Sequence, residues 1–229
     1  MDARAVVASA DLVLVDFDGP LARLLPGERW LELSAQVRAR AGELGGPELE
    51  QALEDQHDHV QCLRAAAGID PEVGLPLADL VTRAELAAAC EVAPGPDAVA
   101  FLEQCLERSA VAVVTNNDPR VVRLVLDRAR PGLTDRLAAV LGRVDDRLED
   151  LKPSPAMLFQ ALRATATQAG AAVFLGDSVT DVEAGRAAGM RVVGVAEEHE
   201  RRKELLAAGA VAVVPSVTHL SSGEGPSGR

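Results

Sequence analysis

The chain of 229 residues is 48% hydrophobic with a net charge of -12 at pH 7, so it can bury one large core or a core with an inserted subdomain. The acidic balance argues against nucleic acid and anionic membranes as partners, because both attract clustered lysine and arginine. No apolar run approaches the ~20 residues that cross a bilayer, the acidic start is unlike a signal peptide, and the three cysteines lack C-x-x-C spacing. We expect a protein of the reducing cytoplasm without a membrane anchor.

Short apolar runs rich in β-branched residues alternate with helical stretches along the chain. Their hydrophobicity is continuous rather than alternating, which predicts strands of a parallel sheet covered on both faces by helices. A further strand can be placed near 138–141. The five clear runs are Leu12–Val15, Val111–Val114, Ala172–Leu175, Val192–Val195 and Val211–Val214.

Residues 21–91 break this rhythm, because they contain no convincing strand. Apolar residues at three- and four-residue spacing predict helices there, at Trp30–Ala41, Pro47–Ala67 and Leu77–Cys90. The chain therefore divides into a Rossmann-like α/β core, residues 1–20 and 92–220, and an inserted all-α subdomain, residues 21–91. Residues 221–229 are rich in Ser, Gly and Pro and are predicted to be disordered.

The first predicted strand ends in two acids, Asp16 and Asp18, followed by Gly19 and Pro20. In extended backbone, side chains two residues apart point the same way. Ligand sites of open parallel sheets lie beyond the carboxyl ends of the strands, so this pair stands where a ligand is expected. Gly19 allows a sharp turn. Taken alone, the pair also suits a solvated acidic turn.

Polar residues also follow two later strands. Thr115 and Asn116 come directly after the second run and can donate hydrogen bonds to phosphate oxygens, whereas Asn117 and Asp118 are expected only to cap the next helix. Lys152 is one of two lysines in the chain. It would supply the positive charge that a dianionic phosphate requires.

The run that ends at Leu175 leads through Gly176 to Asp177 and Asp181. If a helical turn begins at Ser178, the two carboxylates fall on one side, where Asp177 can ligate a metal and Asp181 can hold Lys152 or a metal-bound water. An alternative for Asp181 is a first-turn acid that the helix dipole favours.

Together these four motifs resemble, in order and spacing, those of the haloacid dehalogenase superfamily, in its phosphatase branch. The resemblance extends from about residue 12 to residue 214, and residues 21–91 lie where that family inserts a cap. It implies that Asp16 is the nucleophile and forms an aspartyl-phosphate, while Asp18 is the general acid and base. Phosphoryl transfer by this route splits one difficult step into two easier ones.

The same resemblance implies a cofactor and a substrate class. Mg²⁺ would be held by the Asp16 carboxylate, the Asp18 backbone carbonyl and the Asp177 carboxylate, since it prefers oxygen ligands. The substrate would be a small phosphorylated metabolite. Its phosphate would be held by Thr115, Asn116 and Lys152, with Asp181, Gly19 and Gly176 in support. Arg23, soon after the nucleophile, is the best candidate for a contact with the rest of the substrate.

Other interpretations stay open. The fold also serves phosphomutases, phosphotransferases and catalytically silent ligand-binding relatives. Family dehalogenases lack the second acid, phosphonate-cleaving relatives use a cap lysine that residues 21–91 do not contain, and signalling receiver domains have a different residue order. Pro20 replaces the usual threonine and removes a backbone N–H. The sequence does not set the oligomeric state.

The inserted segment holds three conspicuous side chains. His57 and His59 are two residues apart and do not share a helix face, so we interpret both as solvated or core-edge histidines. We assign Trp30 to packing within the segment; the alternative is a ring that faces the catalytic cleft and sorts substrates.

Overall fold

The computed structural model describes residues 1–221. Six parallel strands form one sheet: β1 (Leu12–Val15), β2 (Ala110–Val114), β3 (Ala139–Leu141), β4 (Ala172–Gly176), β5 (Arg191–Val195) and β6 (Ala212–Val214). Their order is β3-β2-β1-β4-β5-β6, so β1 lies at the centre between β2 and β4. The predicted parallel α/β fold is confirmed, and every predicted strand is present within one residue of its expected bounds.

Ten α-helices accompany the sheet in the described residues. They are α1 (Ala3–Ala8), α2 (Arg29–Gly45), α3 (Pro47–Ala52), α4 (His59–Ile69), α5 (Gly74–Ala89), α6 (Ala98–Leu106), α7 (Pro119–Ala129), α8 (Ala156–Thr165), α9 (Val179–Ala187) and α10 (His199–Ala208). Residues 221–229 were predicted to be disordered. Of these, only Ser221 is among the described residues, and 222–229 lie outside them.

The sheet is buried on both faces, as its continuous apolar strands require. Val13 and Val15 of β1 pack on one face with residues of α1, α6 and α7. Leu12 and Leu14 point to the opposite face, where residues of α8, α9 and α10 cover them. The alternation along one short strand therefore divides the core into two layers around β1, whose carboxyl end carries Asp16.

Helices α2 to α5, which lie between β1 and β2 in the sequence, form a third hydrophobic cluster. It includes Leu33, Val37 and Leu63, and Leu148 and Leu151 join it from the chain after β3. The predicted helix over 47–67 is wrong in one respect, because it is interrupted between α3 and α4. Asp58 ends the interruption by accepting hydrogen bonds from Val60 N (2.9 Å) and Gln61 N (3.0 Å), the geometry of a helix N-cap.

The two connections between this helical segment and the sheet lie side by side. Ala22 and Pro94 form an antiparallel bridge, and Gly95 N donates to Leu21 O at 2.7 Å. The segment therefore leaves the sheet and returns to it at almost one point. None of the helices in residues 1–221 combines the length and apolarity that a membrane crossing requires.

Candidate active site

Asp16 lies at the centre of the sheet, directly after β1, and is 6% exposed. Its backbone N–H continues the pairing with β4 by donating to Leu175 O. Its carboxylate oxygen Oδ1 accepts from Phe17 N at 2.7 Å and from Lys152 Nζ at 2.9 Å. Within residues 1–221 the other oxygen, Oδ2, has no hydrogen-bond donor. One carboxylate oxygen is thus fixed, and the second is available to a ligand.

The chain turns sharply after Asp16. Gly19 has a φ of +100°, a conformation that side chains disfavour, and its N–H donates to Ala22 O at 2.7 Å. Pro20 follows in this turn without interrupting it, since Leu21 N and Ala22 N both donate to Phe17 O. The Asp18 side chain is held by Leu24 N, which donates to its Oδ1 at 2.9 Å. Burial raises the pKa of Asp18.

Gly19 also makes room for the carboxylate of Asp177. A Cβ atom at residue 19 would overlap with both oxygens of that side chain. A Cβ atom at Gly176 would likewise overlap with the side chain of Asp181. Gly19 is therefore required by the close approach of the loops after β1 and β4. Gly176 is required because the side chain of Asp181 packs directly against it.

Lys152 is the buried cation of the site. Its Nζ lies 2.9 Å from Asp16 Oδ1 and 2.6 Å from Asp181 Oδ1, and it donates to Val114 O at 3.3 Å. Burial lowers the pKa of Lys152, but the two carboxylates outweigh this effect and raise it overall. Lys152 therefore stays charged and links the strand ends of β1, β2 and β4.

Asp181 lies in the first turn of α9 and uses both of its oxygens within the protein. Its Oδ2 accepts from Asp177 N, Ser178 N and Ser178 Oγ, and Ser178 Oγ accepts from Asp181 N in return, which is a capping box. Its Oδ1 faces Lys152. The two alternatives for this residue are therefore combined in one side chain, which caps a helix and holds the lysine.

Carboxylate oxygens of Asp16, Asp177 and Asp181 lie within 4.8 Å of one another. Burial is the main cause that raises the pKa of Asp16 to about 7, while Lys152 lowers it. Burial and the charges of Asp181, Asp16 and Asp18 raise the pKa of Asp177 well above 3.8. The cluster thus contains more carboxyl groups than one lysine can neutralise when they ionise, and its donor atoms are oxygens. A divalent cation such as Mg²⁺ fits this set.

The side chains of the turn after β2 form hydrogen bonds with other groups of the protein. Thr115 Oγ1 donates to Asn117 Oδ1 at 2.9 Å and accepts from Asn117 N at 3.2 Å. The Asn116 amide holds Lys152, with Nδ2 donating to Lys152 O and Oδ1 accepting from Lys152 N at 2.8 Å. Asp118 caps α7 as expected, by accepting from Arg120 N. Among residues 1–221 the Asn116 backbone N–H has no acceptor.

Sequence reasoning missed a buried polar network beside this turn. Glu85 of α5 has no exposed surface, and its carboxylate accepts from Arg143, Asn117 and Asp118. Burial raises the pKa of Glu85, but His59 and Arg143 lower it to about 2. The signal was present in α5, because Glu85 follows Ala78, Val81 and Thr82 on the buried face of that helix.

The remaining predicted residues are placed as follows. His57 is exposed, as expected, whereas His59 is only 4% exposed, with its Nε2 3.8 Å from Glu85 Oε1. The solvated alternative is therefore wrong for His59, and the core-edge alternative holds, because the start of α4 turns its ring toward Glu85. Trp30 is 38% exposed. Arg23 is exposed and lines a cavity of about 410 Å³ together with Gly19 and Pro96.

Comparison with known proteins agrees with this fold. The family model of haloacid dehalogenase-like hydrolases matches residues 10–189. The chain belongs to this family, and the predicted family and the prediction of a hydrolytic enzyme are confirmed.

Two curated relatives and one solved structure show the extent of the similarity. A phosphoglycolate phosphatase of Pseudomonas fluorescens (strain Pf0-1) is 30% identical over 50% of this chain and 40% of its own length. One of Pseudomonas savastanoi pv. phaseolicola is 28% identical over 95% of this chain and 73% of its own length. CbbY of Rhodobacter sphaeroides, solved in complex with phosphate, is 22% identical with a TM-score of 0.64, covering 92% and 96% of the two chains. The names of the curated relatives support the predicted phosphatase branch.

Proposed function

We propose that the protein is a Mg²⁺-dependent phosphatase that hydrolyses phosphate monoesters of small metabolites through an aspartyl-phosphate on Asp16. The observation that carries the proposal is the state of the Asp16 carboxylate. One oxygen is fixed by Phe17 N and Lys152, and the other has no donor among the described residues. This is the arrangement that an in-line nucleophile requires.

In the first step, Asp16 Oδ2 attacks phosphorus, and the bond between phosphorus and the ester oxygen breaks. Asp18 gives its proton to the departing oxygen, so the products are an alcohol and the aspartyl-phosphate. The raised pKa of Asp18 favours a protonated carboxyl at the start of this step. Its hydrogen bond from Leu24 N fixes where the carboxyl lies.

In the second step, Asp18 accepts a proton from water, and the water oxygen attacks phosphorus. Inorganic phosphate leaves, and the Asp16 carboxylate is restored with Asp18 again protonated. The Asn116 backbone N–H and the Lys152 ammonium bind the phosphate oxygens in both steps, with Thr115 beside them. Asp181 keeps Lys152 in place.

Asp16, Asp177 and the Asp18 backbone carbonyl would hold Mg²⁺, because Asp181 already uses both oxygens within the protein. When bound, the cation supplies charge stabilisation for the transferring phosphoryl group.

We further propose that residues 21–91 act as a cap over a core formed by residues 1–20 and 92–220. Two observations support this division: most members of the third hydrophobic cluster come from residues 21–91, and the two connections of this segment are paired. The names of the curated relatives make 2-phosphoglycolate the first metabolite to test.

The test is release of inorganic phosphate from an aryl phosphate and from 2-phosphoglycolate. Mg²⁺-dependent release should stop with a chelator, return on adding Mg²⁺ and be lost in Asp16→Asn. Asp11→Asn, an exposed acid just before β1, is the matched control and should keep full activity. Binding of phosphate with no release from any ester would instead identify a silent relative.

A further inference from the structure

The turn formed by residues 115–118, here called the β2 turn, is held by charged groups from two other parts of the chain. Glu85 comes from α5 of the inserted segment, and Arg143 follows β3. Both are almost fully buried, at 0% and 3% exposure. Two Arg143 nitrogens donate to the Glu85 carboxylate at 3.0 and 2.9 Å. The pair is therefore shielded from water. In such an interior, hydrogen bonds are stronger than in water, and an unpaired polar group costs more free energy.

Glu85 and Arg143 contact complementary groups of the β2 turn. The Glu85 carboxylate accepts from Asn117 Nδ2 at 2.9 Å and from Asp118 N at 3.0 Å. Arg143 uses its backbone N–H to donate to Asn117 O at 2.9 Å and its Nη1 to donate to Asn116 O at 3.2 Å. A Cβ atom at Gly142 would overlap with Asn117 O, so the glycine permits this approach.

The β2 turn in turn fixes the groups that we assign to phosphate binding. The Asn117 amide that donates to Glu85 also accepts the Thr115 hydroxyl through its Oδ1. Asn116 bonds the backbone of Lys152 through both amide atoms. A shift of Asn117 or Asn116 therefore moves Thr115 or Lys152.

A simpler role for Glu85 is to neutralise a buried arginine. That role needs only the two hydrogen bonds from Arg143. Two of the four hydrogen bonds that Glu85 accepts come instead from the β2 turn, one of them from a backbone N–H. A carboxylate placed only for charge would not need these.

We propose that Glu85 is a positioning residue, which the inserted segment contributes to the phosphate-binding turn and which acts through Asn117 and Arg143. The inference rests on the proposed function in one respect, the assignment of the β2 turn to phosphate. It gives the inserted segment a part in organising the catalytic core, besides covering it.

The test compares Glu85→Gln with Arg83→Ala, an exposed member of an ion pair on the same helix. Melting curves first set a temperature at which each variant is fully folded. We expect Glu85→Gln to lower kcat and to weaken the affinity for inorganic phosphate in the presence of Mg²⁺, each by about 10- to 100-fold. Arg83→Ala should match the wild type. Unchanged kcat and phosphate affinity in folded Glu85→Gln would overturn the proposal.

Asn117→Ala provides a second route, which also serves if Glu85→Gln does not fold. It leaves the Glu85 and Arg143 pair in place but removes the link to Thr115. Its own loss of phosphate affinity should be about tenfold, and the double variant should lose no more than the larger single loss, because both changes break one chain of contacts. Full additivity, or no effect of Asn117→Ala, would contradict transmission through Asn117.

Phosphate affinity separates this inference from the proposed function. If the wild type binds phosphate but hydrolyses no ester, the proposed function fails, while the affinity ratios still decide the role of Glu85. If the wild type neither binds phosphate nor hydrolyses any ester, both proposals are overturned.

Discussion

Two features of the structure exclude a side chain at Gly19. Its φ of +100° disfavours any residue with a Cβ atom, and a Cβ atom there would overlap with the carboxylate of Asp177. We expect Gly19→Ala to destabilise the fold by more than the ~1–2 kcal/mol of a left-handed backbone alone and to abolish Mg²⁺-dependent activity. Gly46→Ala is the matched control, since Gly46 has a φ of +90° with open space around it. It should lose stability through the backbone alone and keep its activity. Urea unfolding and phosphate release measure both; equal losses in the two variants would refute a specific role for the Asp177 contact.

Lys152 neutralises two buried carboxylates, so its replacement leaves Asp16 and Asp181 without a counter-charge. We expect Lys152→Met to lose activity and about 3–5 kcal/mol of unfolding free energy. Lys203, the chain's other lysine, is exposed on α10 and paired with Glu200. Lys203→Met should change neither quantity by a measurable amount. A Lys152→Met protein of wild-type stability would show that Lys152, Asp16 and Asp181 are not all ionised in the folded protein.

Helix α5 carries an acid on its apolar face, and this makes stability depend on pH. The folded pKa of Glu85, about 2, lies below its usual 4.5. The group therefore stabilises the fold fully above pH 4.5 and loses this effect as the pH falls toward 2. Asp18, Asp58, His59 and Arg143 share this environment, and His59 and Arg143 remain positively charged throughout that range.

We predict that Glu85→Gln flattens the acid side of the stability curve between pH 4.5 and 2, by on the order of 3 kcal/mol. Urea unfolding at a series of pH values measures this. Glu204→Gln, which removes an exposed acid from an ion pair of α10, should leave the curve unchanged. An unaltered acid limb in Glu85→Gln would mean that other carboxylates dominate acid unfolding.

Elements with a strong local pattern were predictable, and elements that depend on distant contacts were not. The buried strands were found because both of their faces are apolar. The gap between α3 and α4 was missed, since Leu53 continues the helical spacing and the break depends on the cap at Asp58. The motif acids follow strands and share one sheet edge, so sequence alone could group them. Glu85 and Arg143 are 58 residues apart, and only the packing of α5 against the core joins them.

At the scale of the whole molecule, the clustered acids oppose folding when they are ionised without a bound cation. The raised pKa of Asp177 means that its ionised form costs folding energy once the pH exceeds 3.8. Saturating Mg²⁺ should therefore raise the melting temperature, by about 5–10 °C at 100 times its Kd. Asp177→Asn should melt higher than the wild type without metal and show no Mg²⁺ shift, whereas Asp146→Asn, an exposed acid, should respond like the wild type. If metal-free Asp177→Asn melts at a lower temperature than the metal-free wild type, the acids do not repel one another enough to oppose folding.

The paired connections at Ala22 and Pro94 have a consequence for how such a protein diversifies. Because the chain departs and returns through neighbouring, hydrogen-bonded residues, the length of the intervening segment does not alter the spacing of β1 and β2. We therefore expect the sheet itself to tolerate insertions, deletions or a complete exchange of that segment. If the proposed function holds, a new helical segment grafted there would keep the proposed reaction and change which molecules undergo it, provided that it brings an acid to the place of Glu85.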